Sequence, residues 1–302
     1  MSRKVRPGQR VLVAGASGML GRALASLLLG AGYEVVAPGR PELDITELQA
    51  VRALVRGVAP AAVINCAAYT AVDKAEDERG KAELINREGA ANLSRAAADA
   101  GAKFIHISTD FVFDGTKNTP YSEDDEPAPV GVYGSSKLAG EDKVIAAGGD
   151  FFIVRTSWLY GPGSDNFVTK IAGKARSSKE LRVVFDQVGT PTYTFDLAEA
   201  IINLTELELD NGIYHFSNEG VASWYDFAVA VVEGLKRRGA GLSVERIEPV
   251  LSAAYKTPAK RPSYSVMDKA KYKKATGAHV RHWGEALSSY LETTLKDGRI
   301  KL

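Results

Sequence analysis

Val11-Leu12-Val13-Ala14-Gly15-Ala16-Ser17-Gly18-Met19-Leu20-Gly21 is the stretch on which the fold turns. Val11 to Ala14 reads as a short buried strand. Three glycines at G-x-x-G-x-x-G spacing then read as a tight turn, and Leu20 to Leu29 as a helix with leucines and alanines on its inner face. Glycine is common in the chain, at 29 residues, so the triplet alone says little. Its place between a strand and a helix says much more. Such a turn lets backbone approach an anion closely, and the helix N-terminus adds unpaired N–H groups and partial positive charge. Gly15, Gly18, Met19, Leu20 and Gly21 therefore read as the pyrophosphate cradle of a dinucleotide site.

Outward from this turn the alternation continues. Tyr33 to Ala37, Ala62 to Asn65, Lys103 to Ser108 and Phe151 to Arg155 read as strands, and Ala82 to Ala100 and Tyr133 to Ala147 as helices. Strands of nearly continuous apolar character belong to parallel sheets covered on both faces. The expected class is α/β, a Rossmann-type doubly wound parallel sheet with a smaller C-terminal domain. Residues 8–156 are assigned to the dinucleotide-binding domain. Residues 157–302 are assigned mainly to a substrate-binding domain, with some segments returning to the first, because strands become sparser there and aromatics stand at isolated points.

Composition narrows the field. The 302 residues are 45% hydrophobic and 25% charged, ordinary globular values that set aside disorder, collagen and coiled coil. Lys+Arg 38 against Asp+Glu 37 leaves a formal charge of +1, so no global field selects a nucleic-acid partner. Cys66 is the only cysteine, which forbids an internal disulfide and fits a reducing compartment. No apolar stretch reaches the roughly 20 residues needed to cross a bilayer, and no signal-peptide pattern opens the chain. A cytoplasmic protein without a membrane partner is expected.

At the end of the second strand, Val36-Ala37-Pro38-Gly39-Arg40 holds no acid for a ribose 2′-hydroxyl and offers Arg40 for a 2′-phosphate. NADPH is the expected cofactor, with NADH as the alternative. Of twelve tyrosines only Tyr133 has lysine at i+4, so Tyr133 and Lys137 share one face of a helix that begins at the carboxyl edge of the sheet. Strand four ends in Ser108-Thr109-Asp110 at the same edge. Hydride reduction of a ketone leaves negative charge on oxygen, which a proton donor must meet. A free phenol, with pKa about 10, is matched poorly to neutral pH, and a neighbouring ammonium should lower it. A shift of roughly three units would correspond to about 4 kcal/mol. Thr109 would orient the carbonyl.

These residues resemble the extended short-chain dehydrogenase/reductases and, within them, the dTDP-4-dehydrorhamnose reductases. The resemblance runs from about residue 10 to about residue 290. Its blocks are Asn65-Cys66-Ala67-Ala68-Tyr69-Thr70 through Glu76, Ser108 to Phe113, Val132 to Glu141, Arg155 to Tyr160, Asp186 to Thr192, and Thr257 to Pro262. It implies Thr109, Tyr133 and Lys137 as the catalytic set. It implies Gly18 to Leu20, Asp44, Ile45, Ala67, Ala68, Tyr69 and Thr70 as cofactor contacts. For a dTDP-sugar substrate it implies Thr109, Asp110, Trp158, Gln187 and Arg261. It also implies Mg²⁺ and a homodimer for some members. No metal-ligand cluster stands in the sequence, and Asp124, Asp125 and Glu126 read as a solvated acidic loop. His106 reads as a core imidazole, Cys66 as a small buried hydrophobe, and His215, His279 and His282 show no ligand spacing. Another sugar-nucleotide enzyme of the same fold, an epimerase or dehydratase, is the enzymatic alternative; dehydratases of this group carry an acid after the Thr-Asp pair, where this chain has Phe111. A regulatory subunit resembling that of methionine adenosyltransferase is the non-enzymatic alternative.

Overall fold

In the computed structural model residues 2–296 are described; Met1 and 297–302, the end of the span assigned to the second domain, lie outside the described residues. Six strands form one parallel sheet: β1 (Arg10–Ala14), β2 (Glu34–Val36), β3 (Ala62–Asn65), β4 (Lys103–Thr109), β5 (Phe151–Thr156) and β6 (Gly212–His215). Their order is β2-β1-β3-β4-β5-β6, every pair parallel. The order reverses between β1 and β3, and ligands of such sheets bind at that switch point beyond the strands' carboxyl ends.

The apolar runs follow from burial on both faces. Val11 and Val13 face one layer, with Leu24 and Leu28 of α1 (Met19–Gly30) and Leu197 and Ile201 of helix Thr194–Glu206. Leu12 and Ala14 face the other, with Val51 and Val55 of α2 (Leu48–Val58) and Leu93 and Ala97 further along. Strand residues alternate between layers, so both parities must be apolar.

The helix expected over Ala82–Ala100 is interrupted. An α segment Arg79–Glu83 widens into a π turn, Leu84–Gly89, before Ala90–Asp99 resumes as α. A Cβ on Gly89 would lie 2.5 Å from Ile45 Cδ1, so glycine there admits the neighbouring loop. Asn86, in the wide turn, accepts from Tyr69 N–H at 2.8 Å and donates to Tyr69 C=O at 3.1 Å and Ser136 Oγ at 2.9 Å. The π turn thus clamps the segment after β3 to α3 (Val132–Ala147).

Beyond residue 157 the chain builds a second core from helices Phe167–Ser177, Trp224–Arg237 and Trp283–Lys296, beside a parallel strand pair, Glu180–Val184 with Arg246–Val250. It also sends β6 back to the edge of β5. Among the described residues no helix is long and apolar enough to cross a membrane.

Candidate active site

The glycine turn owes its shape to two close approaches. Gly15 has φ +78°, and a Cβ there would lie 2.5 Å from Ala67 N. A Cβ on Gly21 would lie 2.4 Å from Gly15 O. The turn therefore lies flat against the end of β3 and against its own helix. Gly18 caps α1 without a side-chain hydrogen bond, so the first N–H groups of the helix remain available to an anion.

One cleft is lined by Gly15, Gly18, Arg40, Asp44, Ile45, Ala67 and Ala68 of the expected set, and by Ser17, Leu43, Cys66 and Ile85, which sequence reasoning did not select for it. Arg40 is exposed at this rim. Asp44 accepts from Thr46 N–H at 3.0 Å and Thr46 Oγ1 at 2.7 Å, which hold its carboxyl below the usual range, with Arg40 a smaller influence. Met19 and Leu20 lie in the first turn of α1, and the Leu20 side chain packs into the core, leaving its backbone to face the turn. Tyr69 and Thr70 follow Ala68, with Tyr69 backbone held by Asn86. Burial pushes the Cys66 thiol up to about 12, against a smaller pull from Lys137, so it is an unreactive wall group.

The catalytic candidates gather at the carboxyl edge of β4. Thr109 Oγ1 donates to Asp110 Oδ1 at 3.0 Å and accepts from Phe111 N–H at 3.2 Å. The Thr109 hydroxyl lies close enough to Tyr133 to work against the burial of its phenol, and the Tyr133 ring meets Phe111 edge-on, centroids 5.5 Å apart at 74°. A Cβ on Gly134 would lie 2.1 Å from Phe111 O, so glycine lets α3 begin directly on this loop. Lys137 Nζ donates to Ile107 C=O at 2.5 Å and stands 3.4 Å from His106 Nε2.

The electrostatics differ from expectation. Burial pushes the Tyr133 phenol up to about 12, and Lys137 is not among the groups that shift it. Lys137 itself falls to about 8, burial outweighing the opposing carboxylate of Glu141 and Cys66. Desolvation therefore outweighs the expected charge effect on the phenol. Burial also lifts Asp110 to about 6, against hydrogen bonds from Ser265 and Thr109.

The remaining candidates lie in the later chain. Trp158 adopts φ +46°, unusual outside glycine, and stacks on Trp224 at 3.6 Å and 6°. A Cβ on Gly189 would lie 2.7 Å from the Trp158 indole. Trp224 Nε1 donates to Gln187 Oε1 at 3.2 Å, and Gln187 Nε2 to Ser252 Oγ at 2.9 Å. Arg261 is bound to Asp73 through Nη2, at 2.9 and 3.1 Å, which places it beside the segment after β3. His106 is buried and hydrogen-bonded to Asn65 at 3.1 Å, as expected of a satisfied core imidazole, and it also stands beside Lys137. Asp125 is not a merely solvated charge: it accepts from Lys117 Nζ and Ser122 N–H, both at 2.7 Å, which draw its carboxyl down to about 2. Among the described residues no group of three or more His, Cys, Asp or Glu side chains is arranged to hold a metal ion.

Against known proteins, a family profile described as RmlD substrate binding domain matches residues 9–296. The spore coat polysaccharide biosynthesis protein SpsK of Bacillus subtilis is 45% identical over 94% of this chain and 97% of its own. The dTDP-4-dehydrorhamnose reductase of Mycolicibacterium smegmatis is 44% identical over 92% of this chain and 84% of its own. A crystal structure of dTDP-4-dehydrorhamnose reductase from Bacillus anthracis in complex with NADP superposes with a TM-score of 0.90 at 38% identity, over 95% of this chain and all of that one.

Proposed function

The chain belongs to the RmlD substrate-binding-domain family, and from that premise we propose that it reduces the C4 keto group of dTDP-4-dehydro-6-deoxy-L-mannose to dTDP-L-rhamnose with NADPH. The observation that supports this most directly is the junction at the sheet's carboxyl edge. There the glycine-turn cleft, closed on one side by Cys66, adjoins Lys137, Tyr133 and Thr109.

The chain's own groups divide the work as follows. Backbone N–H groups at the start of α1 hold the pyrophosphate, and Arg40 at the rim takes the 2′-phosphate that distinguishes NADPH from NADH. Asp44, Ile45, Ala67 and Ala68 line the rest of that cleft, and Tyr69, Thr70, Tyr133 and Lys137 are assigned to the cofactor with them. Bound NADPH supplies the hydride. Tyr133 gives its hydroxyl proton to the C4 oxygen as charge develops there, and Thr109 orients that oxygen by a hydrogen bond. A phenol held up near 12 is fully protonated at neutral pH, which suits an acid acting in the direction of reduction. Lys137, held by Ile107 C=O, is assigned to the cofactor as a donor rather than to the charge of the phenol. Asp110, Gln187 and the stacked Trp158 contact the sugar nucleotide. Arg261 is assigned to its phosphates, exchanging its bonds to Asp73 and Thr257 for them. The Mg²⁺ implied by the resemblance meets no suitable cluster among the described residues, and no step passes through it.

Phe111 separates reduction from dehydration on this fold. Its ring packs on Tyr133, where an acid would be needed to expel a hydroxyl. The test is an absorbance assay of reduced nicotinamide, with NADPH and NADH offered separately alongside the 4-keto sugar nucleotide. Stoichiometric NADPH consumption is expected, with the preference narrowed in Arg40→Ala. Turnover of the sugar with no net loss of NADPH would overturn the proposal.

A further inference from the structure

Behind Lys137 runs a chain of buried polar groups that the mechanism above does not use. Ala67 N–H donates to Asn65 Oδ1 at 3.0 Å, which fixes the amide and turns its nitrogen, a donor only, toward His106 Nδ1 at 3.1 Å. Nδ1 must then accept. His106 is thus neutral, with its proton on Nε2. That nitrogen stands 3.4 Å from Lys137 Nζ. An ammonium has no lone pair to receive an N–H, whereas an amine has one. The pair exists because β3 and β4 lie in the register Asn65↔His106, with both side chains 1% exposed.

We infer that Asn65 and His106 are positioning residues for the reduction: they present a fixed N–H to Lys137 and so make its ammonium give up a proton more readily than a free lysine would. When Lys137 gives up its proton an Nζ–H bond breaks and the proton passes to solvent. The resulting amine lone pair accepts the His106 N–H, and solvent later returns the proton. The inference rests on the reductase reading for its catalytic meaning, but the geometry holds whatever the substrate.

The other groups facing Lys137 fit this balance. Cys66 on the β3 side is a protonated thiol. Glu141, on Lys137's own helix, favours the ammonium. It is bound by Arg155 of β5 through Nε at 3.0 Å and Nη2 at 2.6 Å and accepts from Ser108 Oγ, so its charge is shared. Asp110 faces Tyr133 from the end of β4. Burial keeps His106 far below the ordinary imidazole range, reinforced by Lys137, so a competing imidazolium does not form.

Asn65→Asp tests the idea. An aspartate keeps the shape and still accepts from Ala67 N–H, but its second oxygen accepts from His106, moving the proton to Nδ1 and leaving Nε2 to accept from Lys137. The expected result is that the Lys137 titration, followed by NMR of the side-chain amine in the cofactor-free protein, moves up by about one pH unit. The alkaline limb of kcat should move with it. His106→Gln, which removes the fixed N–H and offers a carbonyl oxygen, should act in the same direction and serves if the first variant does not fold. The ring ¹⁵N spectrum of the wild type should show a neutral Nε2–H imidazole that Asn65→Asp converts. An unmoved Lys137 titration in the folded variant, or an Nδ1–H ring in the wild type, overturns the inference. An unmodified chain that consumes no NADPH would strike the reductase reading alone, because both NMR measurements still decide this one.

Discussion

Tyr133 combines a buried phenol with a nearby cation that does not lower it, and this decides how its loss should register. Removing the hydroxyl in Tyr133→Phe takes away the proton donor but leaves the edge contact with Phe111. Turnover is expected to fall about 10²–10⁴-fold while NADPH affinity, measured by fluorescence titration, stays near its original value. Turnover within a factor of a few of the native rate would remove Tyr133 from the chemistry. Asp110 offers a pH test at the same scale. Folding raises its carboxyl from 3.8 to about 6, mainly by burial. The folded chain therefore holds a proton that the unfolded chain releases, and the stability linked to it is fully present below pH ~4 and lost as pH rises through about 6. A shift of about two units corresponds to about 3 kcal/mol. Asp110→Asn, uncharged throughout, should gain on the wild type by that order between pH 4 and pH 7 in urea unfolding. A constant difference between the two across that range would show that Asp110 is not buried as a proton-holding acid.

At the scale of elements, α3 reaches the site only because glycines let it press on its neighbours. A Cβ on Gly140 would lie 2.2 Å from Asn86 O, which is backbone in the π turn and has little room to move. Gly140→Ala should cost about 1–3 kcal/mol and shift the helix that carries Tyr133 and Lys137, lowering kcat more than it raises KM. Gly173 in helix Phe167–Ser177 has nothing within 4 Å, so Gly173→Ala should be neutral or stabilising by up to about 1 kcal/mol. Equal effects from the two would mean that close contact is not what matters. This scale also shows what the residues could reveal unaided. Strands β1, β3, β4 and β5 were legible because burial on both faces leaves continuous apolar runs, and the helix of Tyr133 because the spacing of Tyr133 and Lys137 is local. The π turn was not, since it comes from Gly89 meeting Ile45, more than forty positions away. For the same reason the partners of His106 could not be read: its link to Asn65 depends on strand register, and the Trp158–Trp224 stack joins segments with no local pattern in common.

For the whole molecule, the question is whether the two cores are independent. The later chain supplies β6 to the edge of β5, and helix Thr194–Glu206 packs Leu197 and Ile201 on Leu24 and Leu28 of α1. Lys103, fully buried in β4, donates to the carbonyls of Leu204, Thr205 and Leu207 at 2.9–3.0 Å, closing the end of that same helix. In the other direction, Asn166, which caps helix Phe167–Ser177, donates to Gly161 C=O at 2.8 Å and contacts Tyr290 Oη at 3.4 Å, close to Met19 of the glycine turn. A chain cut after residue 156 would lose the partner of β5, one helical cover of the sheet and the acceptors of a buried ammonium together. The fragment is expected to lack a sharp thermal transition and to bind a hydrophobic dye, while the full chain unfolds in one step seen alike by tryptophan fluorescence and far-UV circular dichroism. All three tryptophans, 158, 224 and 283, lie in the later half, so fluorescence follows that half and circular dichroism the whole. Two separated transitions, with the earlier half surviving the loss of the tryptophan signal, would show that the sheet does not need its returning strand.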